Sequence, residues 1–277
     1  MKTNLVTGGL LLAIVAVLLL SSRWSCDRAT LRDMRLAAVQ DDTRAIGMQT
    51  ALSEIYCIGY GVQQDIDEGL KWRRRSEESR LRQPAESGDA RSQYALGVYY
   101  YLAGGVTNPA EAVKWFRRAA EQGDVLAQSQ LGYCYRNGQG VEQDLTEAVK
   151  WFRKSAEPRG SSEAQLILGE AFEKGDGVAR NLSEAAKWYR KAAENGQLSA
   201  QQKLVTYYEN GMGVPQDLSE AYMWTIIAVE GTGIESLKKD LLNTRDKLTL
   251  SMTHDQIAEG QKRAGEFVAK KQGKNEY

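Results

Sequence analysis

The sequence predicts an all-α protein: an α-α superhelix, a right-handed solenoid of about five helix-pair repeats closed by a C-terminal capping helix pair. Three observations carry that prediction. A tryptophan recurs about every thirty-six residues, as Trp72, Trp115, Trp151, Trp188 and Trp224, with a longer first gap. Each follows a valine by nine or ten residues: Val62, Val106, Val141, Val178 and Val214. Only four prolines occur in 277 residues, and apolar/polar alternation is scarce, so helices are favoured over sheet.

Each part of the unit has a physical reason. Ala127, Leu131 and Tyr135 lie four residues apart, as do Ala164, Leu168 and Phe172, and Ala200, Leu204 and Tyr208. That spacing draws one apolar stripe on a first helix, helix A. Gly132 and Gly169, next to the leucine, remove a side chain where a neighbouring helix approaches. The following Gly-x-Gly-Val ends helix A and turns the chain. Helix B then opens on a capping box in every copy: Asp65 with Glu68, Asn108 with Glu111, Asp144 with Glu147, Asn181 with Glu184, Asp217 with Glu220. The tryptophan sits on helix B beside an alanine pair such as Ala119 and Ala120, as a wedge between A and B. One helix pair cannot cover that face, so the copies stack.

The first copy carries about eight extra residues before the second begins, roughly two helical turns, which an extended helix B would absorb. Residues 233–277 hold two further helical stripes, Leu237, Leu241 and Leu248, then Ile257, Gln261, Ala264 and Val268 behind a Thr253–Gln256 box. They cap the open end, and Lys270 to Tyr277 form a tail. The expected boundaries are 1–22, 23–40 (linker or first helix), 41–82, 83–122, 123–158, 159–195, 196–232 and 233–277.

Read together, these residues resemble the Sel-one-like repeat family, a branch of the tetratricopeptide-like α-solenoids. The likeness covers about residues 41–232. The first copy departs, with Met48 at the alanine position and Ser53 at the glycine position, as suits a terminal cap. The resemblance implies a scaffold or adaptor for protein complexes, common in bacterial envelope and host-interaction proteins. It supplies no catalytic residue and no cofactor, and it implies that helix A lines the concave surface.

Leu5–Leu20 is apolar throughout and follows Lys2, so residues 1–22 read as a signal peptide or an N-terminal membrane anchor. Bulky Leu20 three residues before a cut at Ser22 favours the uncleaved anchor. Arg23, Arg28, Arg32 and Arg35 follow the segment while Lys2 alone precedes it, so the positive-inside rule leaves both orientations open for a chain expected at the cell envelope. Cys26 lacks the small and apolar neighbours of a lipidation site.

Charge names no partner: thirty-six basic residues balance thirty-six acidic ones, and nucleic acid is not expected to bind. The single histidine, His254, cannot make a zinc site, and three cysteines give no disulfide framework or metal set. No P-loop, dinucleotide fingerprint or HExxH is present. Ser236-Leu-Lys-Lys239 matches S-x-x-K without its companion elements, and it is the one feature behind an alternative reading as a penicillin-binding or peptidoglycan-active protein. A cytoplasm-facing signalling regulator is the other alternative. The basic run Lys71–Arg75 is expected to pair along its own helix, Arg73 with Glu77 and Arg74 with Glu78. The Asn181-Leu-Ser183 sequon overlaps a helix cap.

The expected function is therefore that of a non-enzymatic scaffold binding another protein or peptide, with the membrane met only through the N-terminal segment and no small-molecule substrate. Candidate contact residues follow from helix A. Counting from the repeat leucine, positions minus four, zero and plus four serve the core, and minus two, plus two and plus five face away. In most copies the latter are polar. The second and third carry Tyr94, Val98 and Tyr101, then Ser129, Tyr133 and Arg136. Tyr94, Val98, Tyr101, Tyr133 and Arg136 are the expected partner-binding residues, of the types that dominate protein interfaces.

Overall fold

Glycines and capping acids cut the chain into short helices whose apolar stripes demand neighbours on two sides. The computed structural model describes residues 28–39, 43–60, 62–102, 108–157 and 160–272. Among them are thirteen helices and no strand. They divide into two compact units. The first holds α1 (Arg28–Ala37), α2 (Thr43–Ile58), α3 (Ile66–Glu86) and α4 (Ala90–Leu102). The second holds α5 (Pro109–Glu121), α6 (Val125–Asn137), α7 (Leu145–Ala156), α8 (Ser162–Lys174), α9 (Leu182–Glu194), α10 (Leu198–Asn210), α11 (Leu218–Gly231), α12 (Glu235–Thr249) and α13 (His254–Gln272). Within each unit every helix packs on its predecessor, the arrangement of an α-α solenoid, except that α13 folds back onto α11.

The turn between helices A and B uses its glycines for two different purposes. Gly138, Gly175 and Gly211 take the left-handed conformation (φ 67°, 87° and 67°) that ends α6, α8 and α10. The second glycine of each pair, Gly140, Gly177 and Gly213, also has positive φ, and its Cα abuts the first turn of the preceding helix B, where a methyl would overlap the Pro109, Leu145 or Leu182 backbone.

Helix B opens on a cap that, in four of the five copies, is only half of the expected box. The side chains of Asp65, Asn108, Asp144, Asn181 and Asp217 each accept from the N–H three residues on, at 2.9–3.1 Å. At Asp65, Asp144, Asn181 and Asp217 the reciprocal glutamate bond is not made. The cap N–H of Asp65, Asp144, Asn181 and Asp217 donates instead to the helix A carbonyl of Tyr56, Tyr135, Phe172 or Tyr208. Glu68, Glu147 and Glu184, released from that duty, pair with the lysine three residues later, and Glu111 pairs with Lys114 in the same way. The Thr253–Gln256 box does close in both directions.

The tryptophans are buried, Trp115 4%, Trp151 5%, Trp188 6% and Trp224 1% exposed, with Trp72 half-buried. Arg75, Arg118, Lys154 and Lys191, each three residues on, cover the ring faces. Trp224 meets Phe267 of α13 edge-on at 5.4 Å, so the capping pair supplies in the last repeat what a further repeat would. Over Gly132 lies the Phe152 ring and over Gly169 the Tyr189 ring, close enough that a methyl would sit under 3 Å from either.

Two inter-repeat devices run through the array. Gln49, Gln93, Gln128, Gln165 and Gln201, three residues before each leucine and at most 7% exposed, donate to the backbone carbonyls of Ala38, Ala85, Ala120, Ala156 and Ala193 in, or for Ala38 just past, the preceding helix. An arginine of that preceding helix also reaches the aromatic four residues after the leucine: Arg35 to Tyr56, Arg82 to Tyr100, Arg117 to Tyr135, Arg190 to Tyr208, and Arg153 over the Phe172 ring. Through Arg35 and Ala38, α1 acts as the second helix of a preceding half-repeat.

Candidate functional site

The candidate residues stand on α4 and α6, one in each unit. On α4, Tyr94 and Val98 are half-buried and line a groove of ≈ 680 Å³ against α3. Leu70, Leu81 and Leu102 give that groove an apolar wall, and Arg73, Arg74, Arg80 and Glu77 its charged one. Tyr101 is half-buried on the same helix but outside this groove.

On α6, Tyr133 is engaged within the fold. Its ring packs edge-on against Phe152 at 5.2 Å, and its hydroxyl donates to Glu163 of α8 at 3.2 Å. Burial, with the Glu163 carboxylate beside it, pushes the phenol up to about 12. Arg136 is exposed and lines a separate groove of ≈ 270 Å³ with Phe152, Ile167 and Glu170.

The same helix A face is used elsewhere within the fold, contrary to the expectation that it faces away from the core. Ser129 shares a 2.6 Å hydroxyl contact with Ser155, and Thr50 a 2.8 Å contact with Ser76. Leu166 is 7% exposed, a core residue. Glu173 accepts from the Tyr189 hydroxyl and from Lys203, both at 2.7 Å. Burial raises its pKa, but those bonds outweigh it and hold the carboxyl below the ordinary value.

The remaining sequence candidates do not converge on chemistry. Ser236 and Lys239 are exposed on α12, and His254 is exposed at the start of α13. Cys57 and Cys134 are free thiols in different units, and burial pushes Cys134 up to about 11, which keeps it protonated at neutral pH. Among the described residues no group of histidine, cysteine and carboxylate side chains is placed to hold a metal. In the basic run, Lys71 binds Glu68, while Glu78 accepts from Arg82 (2.7 Å) and Tyr100 (2.5 Å), and the expected Arg73–Glu77 pair does not close. Asn181 is engaged in its cap. The apolar segment Leu5–Leu20 and Cys26 lie outside the described residues. No described helix is long and apolar enough to cross a membrane.

A Sel1 repeat family model matches residues 48–76, 90–124, 125–157, 162–197 and 199–231, together more than half of the chain. The chain is similar to a Sel1 repeat protein from Oxalobacter formigenes: 28% identity over 76% of this chain and 88% of that one, TM-score 0.52. It is also similar to a protective antigen of uropathogenic Escherichia coli with an SLR fold, at 26% identity over 87% of this chain and 56% of that one, TM-score 0.39. An F-box protein of Arabidopsis thaliana is 40% identical over 81 residues, 28% of this chain and 23% of the relative. The chain thus spans less than a quarter of that curated relative.

Proposed function

The chain belongs to the Sel1 repeat family, and from that premise we propose a scaffold, held at the membrane or exported, that binds a partner protein along its helix A surface. Sel1 repeat proteins act in protein–protein interaction, and the described helices present open grooves to solvent. The observation that carries the reading is the α3–α4 groove. Leu70 and Leu102 remain 40% and 69% exposed beside Tyr94 and Val98, an apolar strip rimmed by arginine of the kind that protein interfaces favour. Each unit carries its own contact residues: Tyr94, Val98 and Tyr101 in the first, Tyr133 and Arg136 in the second. Leu5–Leu20 would provide the tether, its apolar run being the support for that part of the reading.

A photoactivatable side chain at Val98 or Arg136, in cells making the full chain, should capture one partner far above the level from exposed Glu142 in an A–B turn. Tyr94→Ser with Tyr101→Ser should cut capture at least about tenfold, on the hot-spot scale, with helicity unchanged. Capture equal at all three positions would sink the scaffold reading. Extraction of the full chain at high pH should leave it in the membrane pellet, or, for an exported protein, release it from the periplasm or medium. Recovery in the cytosol would end the envelope reading.

A further inference from the structure

The long helix of the first repeat opens a wider window, ≈ 680 Å³ between α3 and α4 against ≈ 270 Å³ between α7 and α8. Helix α3 has 21 residues, against 12–14 in α5, α7, α9 and α11. The docking of the next helix shows where the extra length went. Elsewhere the arginine two residues after the tryptophan meets the next helix A, as Arg117 meets Tyr135 and Arg190 meets Tyr208. In α3 it is Arg82, ten residues after Trp72, that meets Tyr100, and Gln93 takes the Ala85 carbonyl near the helix end. The attachment point has moved eight residues on, about 12 Å along the axis and about 80° past two full turns. Helix α4 therefore docks mainly on the last turns of α3, reaching its middle through the Tyr99 hydroxyl, which donates to the Arg74 carbonyl at 2.9 Å, and leaves Leu70 and Arg73 exposed.

The uncovered stretch is built differently from its equivalents. In the third repeat the matching positions are Tyr133 and Phe152, whose rings pack edge-on, with the Phe152 ring over Gly132. In the first repeat they are Glu54 and Arg73, and the glycine is Ser53. No ring fills the space, which becomes a groove of ≈ 330 Å³ between α2 and α3. Ser53 lines it, 2% exposed, with an Oγ that has no hydrogen-bond partner. Arg73, Glu77 and Arg80 form a ridge shared by this groove and the apolar one against α4. Among the described residues neither arginine of the ridge is in an ion pair, whereas Lys71 and Arg82 on the same helix are. The lining of the larger groove counts three arginines against one glutamate.

Building on the scaffold reading, we infer that this window seats an acidic segment of the partner, one that places a carboxylate beside an aliphatic or aromatic residue. The apolar residue lies against Leu70, Val98 and Leu102. The carboxylate meets Arg73 and Arg80, whose planar forks suit carboxylate oxygens, and the hydroxyl of Ser53 is the unused polar group in the adjoining groove. The basic edge sets the sign of the segment more than its total affinity.

The probe is a fluorescein-labelled Gly/Ser dodecapeptide with Leu-Glu-Trp-Glu at its centre, read by anisotropy beside counterparts carrying Gln or Lys for both Glu residues. The full chain should bind the acidic peptide at least about tenfold tighter than the Gln peptide, as expected for lost charge-assisted bonds, and the Lys peptide not at all. Arg73→Glu with Arg80→Glu should transfer binding to the Lys peptide. Deleting residues 74–81 restores the spacing of the other repeats and should abolish binding of all three peptides with helicity kept. Should the deletion variant fail to fold, the charge-reversed protein, altered only at exposed positions, decides the matter. Equal binding of the three peptides, no binding of the acidic one, or acidic binding that survives the charge reversal would overturn the window. Capture at Val98 that persists in any of those cases leaves the scaffold standing, and loss of capture removes the scaffold itself.

Discussion

Alanine at Gly140 is expected to cost about 3 kcal/mol or more, because two penalties combine: positive φ and a methyl driven into a fixed backbone. Gly140 has φ 75°, and a Cβ there would overlap the carbonyl of Pro109 in the helix behind it. A backbone carbonyl in the first turn of a packed helix cannot swing aside as a side chain would. Gly138, two residues earlier, is the built-in control. Its φ is 67°, yet the nearest atom to an added Cβ is Gln143 Cβ at an ordinary 3.4 Å. Gly138→Ala should thus show left-handed strain alone, about 1–2 kcal/mol. Urea unfolding of both variants compares them, and equal midpoints would show that the second glycine serves the turn and not the stacking.

Trp151→Ala is expected to destabilise by about 3–5 kcal/mol, the cost of emptying the site of a large buried ring. Lys154, 4.0 Å from the ring centroid, loses its aromatic face as well. Trp151→Phe should cost much less, since Nε1 of Trp151 is buried without a hydrogen-bond partner and the ring alone supplies the packing. Because repeats contact only their neighbours, amide exchange should accelerate most in α6, α7 and α8 and least in α12 and α13. A uniform rise across residues 108–272 would mean that the second unit unfolds as one body.

The helices and their faces were legible in the sequence because the repeat displays each choice several times: the alanine–leucine–aromatic stripe, the turn glycines, the cap and the tryptophan each keep their register. What the pattern cannot encode is which neighbour covers a face. A helical wheel separates Leu166 and Tyr133 from the Leu168 and Leu131 stripes, and on a lone helix they would meet water. In the stack helix A packs against its own helix B and the preceding one and meets the next helix A through side chains; there Leu166 is buried and Tyr133 bonds Glu163. The same limit explains the caps. Asp144 and Glu147 have the spacing of a reciprocal box, but the Tyr135 carbonyl, brought close by the turn, takes the Asp144 N–H first. For the candidate surface, the aromatic residues of α4 stood out in the sequence, whereas the eight-residue insertion gave no hint that it would shift the docking of α4. Only the partners of Arg82 and Gln93 reveal that.

The five buried glutamines bear on how such an array changes over generations. Each amide bonds a backbone carbonyl, an acceptor present whatever side chain occupies that position. A contact written on one side only lets the other drift: Ala38, Ala85, Ala120, Ala156 and Ala193 are constrained by volume and not by any need to recognise glutamine. Unequal recombination that sets two repeats side by side for the first time therefore delivers a working joint at once, without paired mutations. The glutamine travels with its own repeat as a connector that fits any predecessor, so copies can be gained or lost whole while their exposed residues diverge freely.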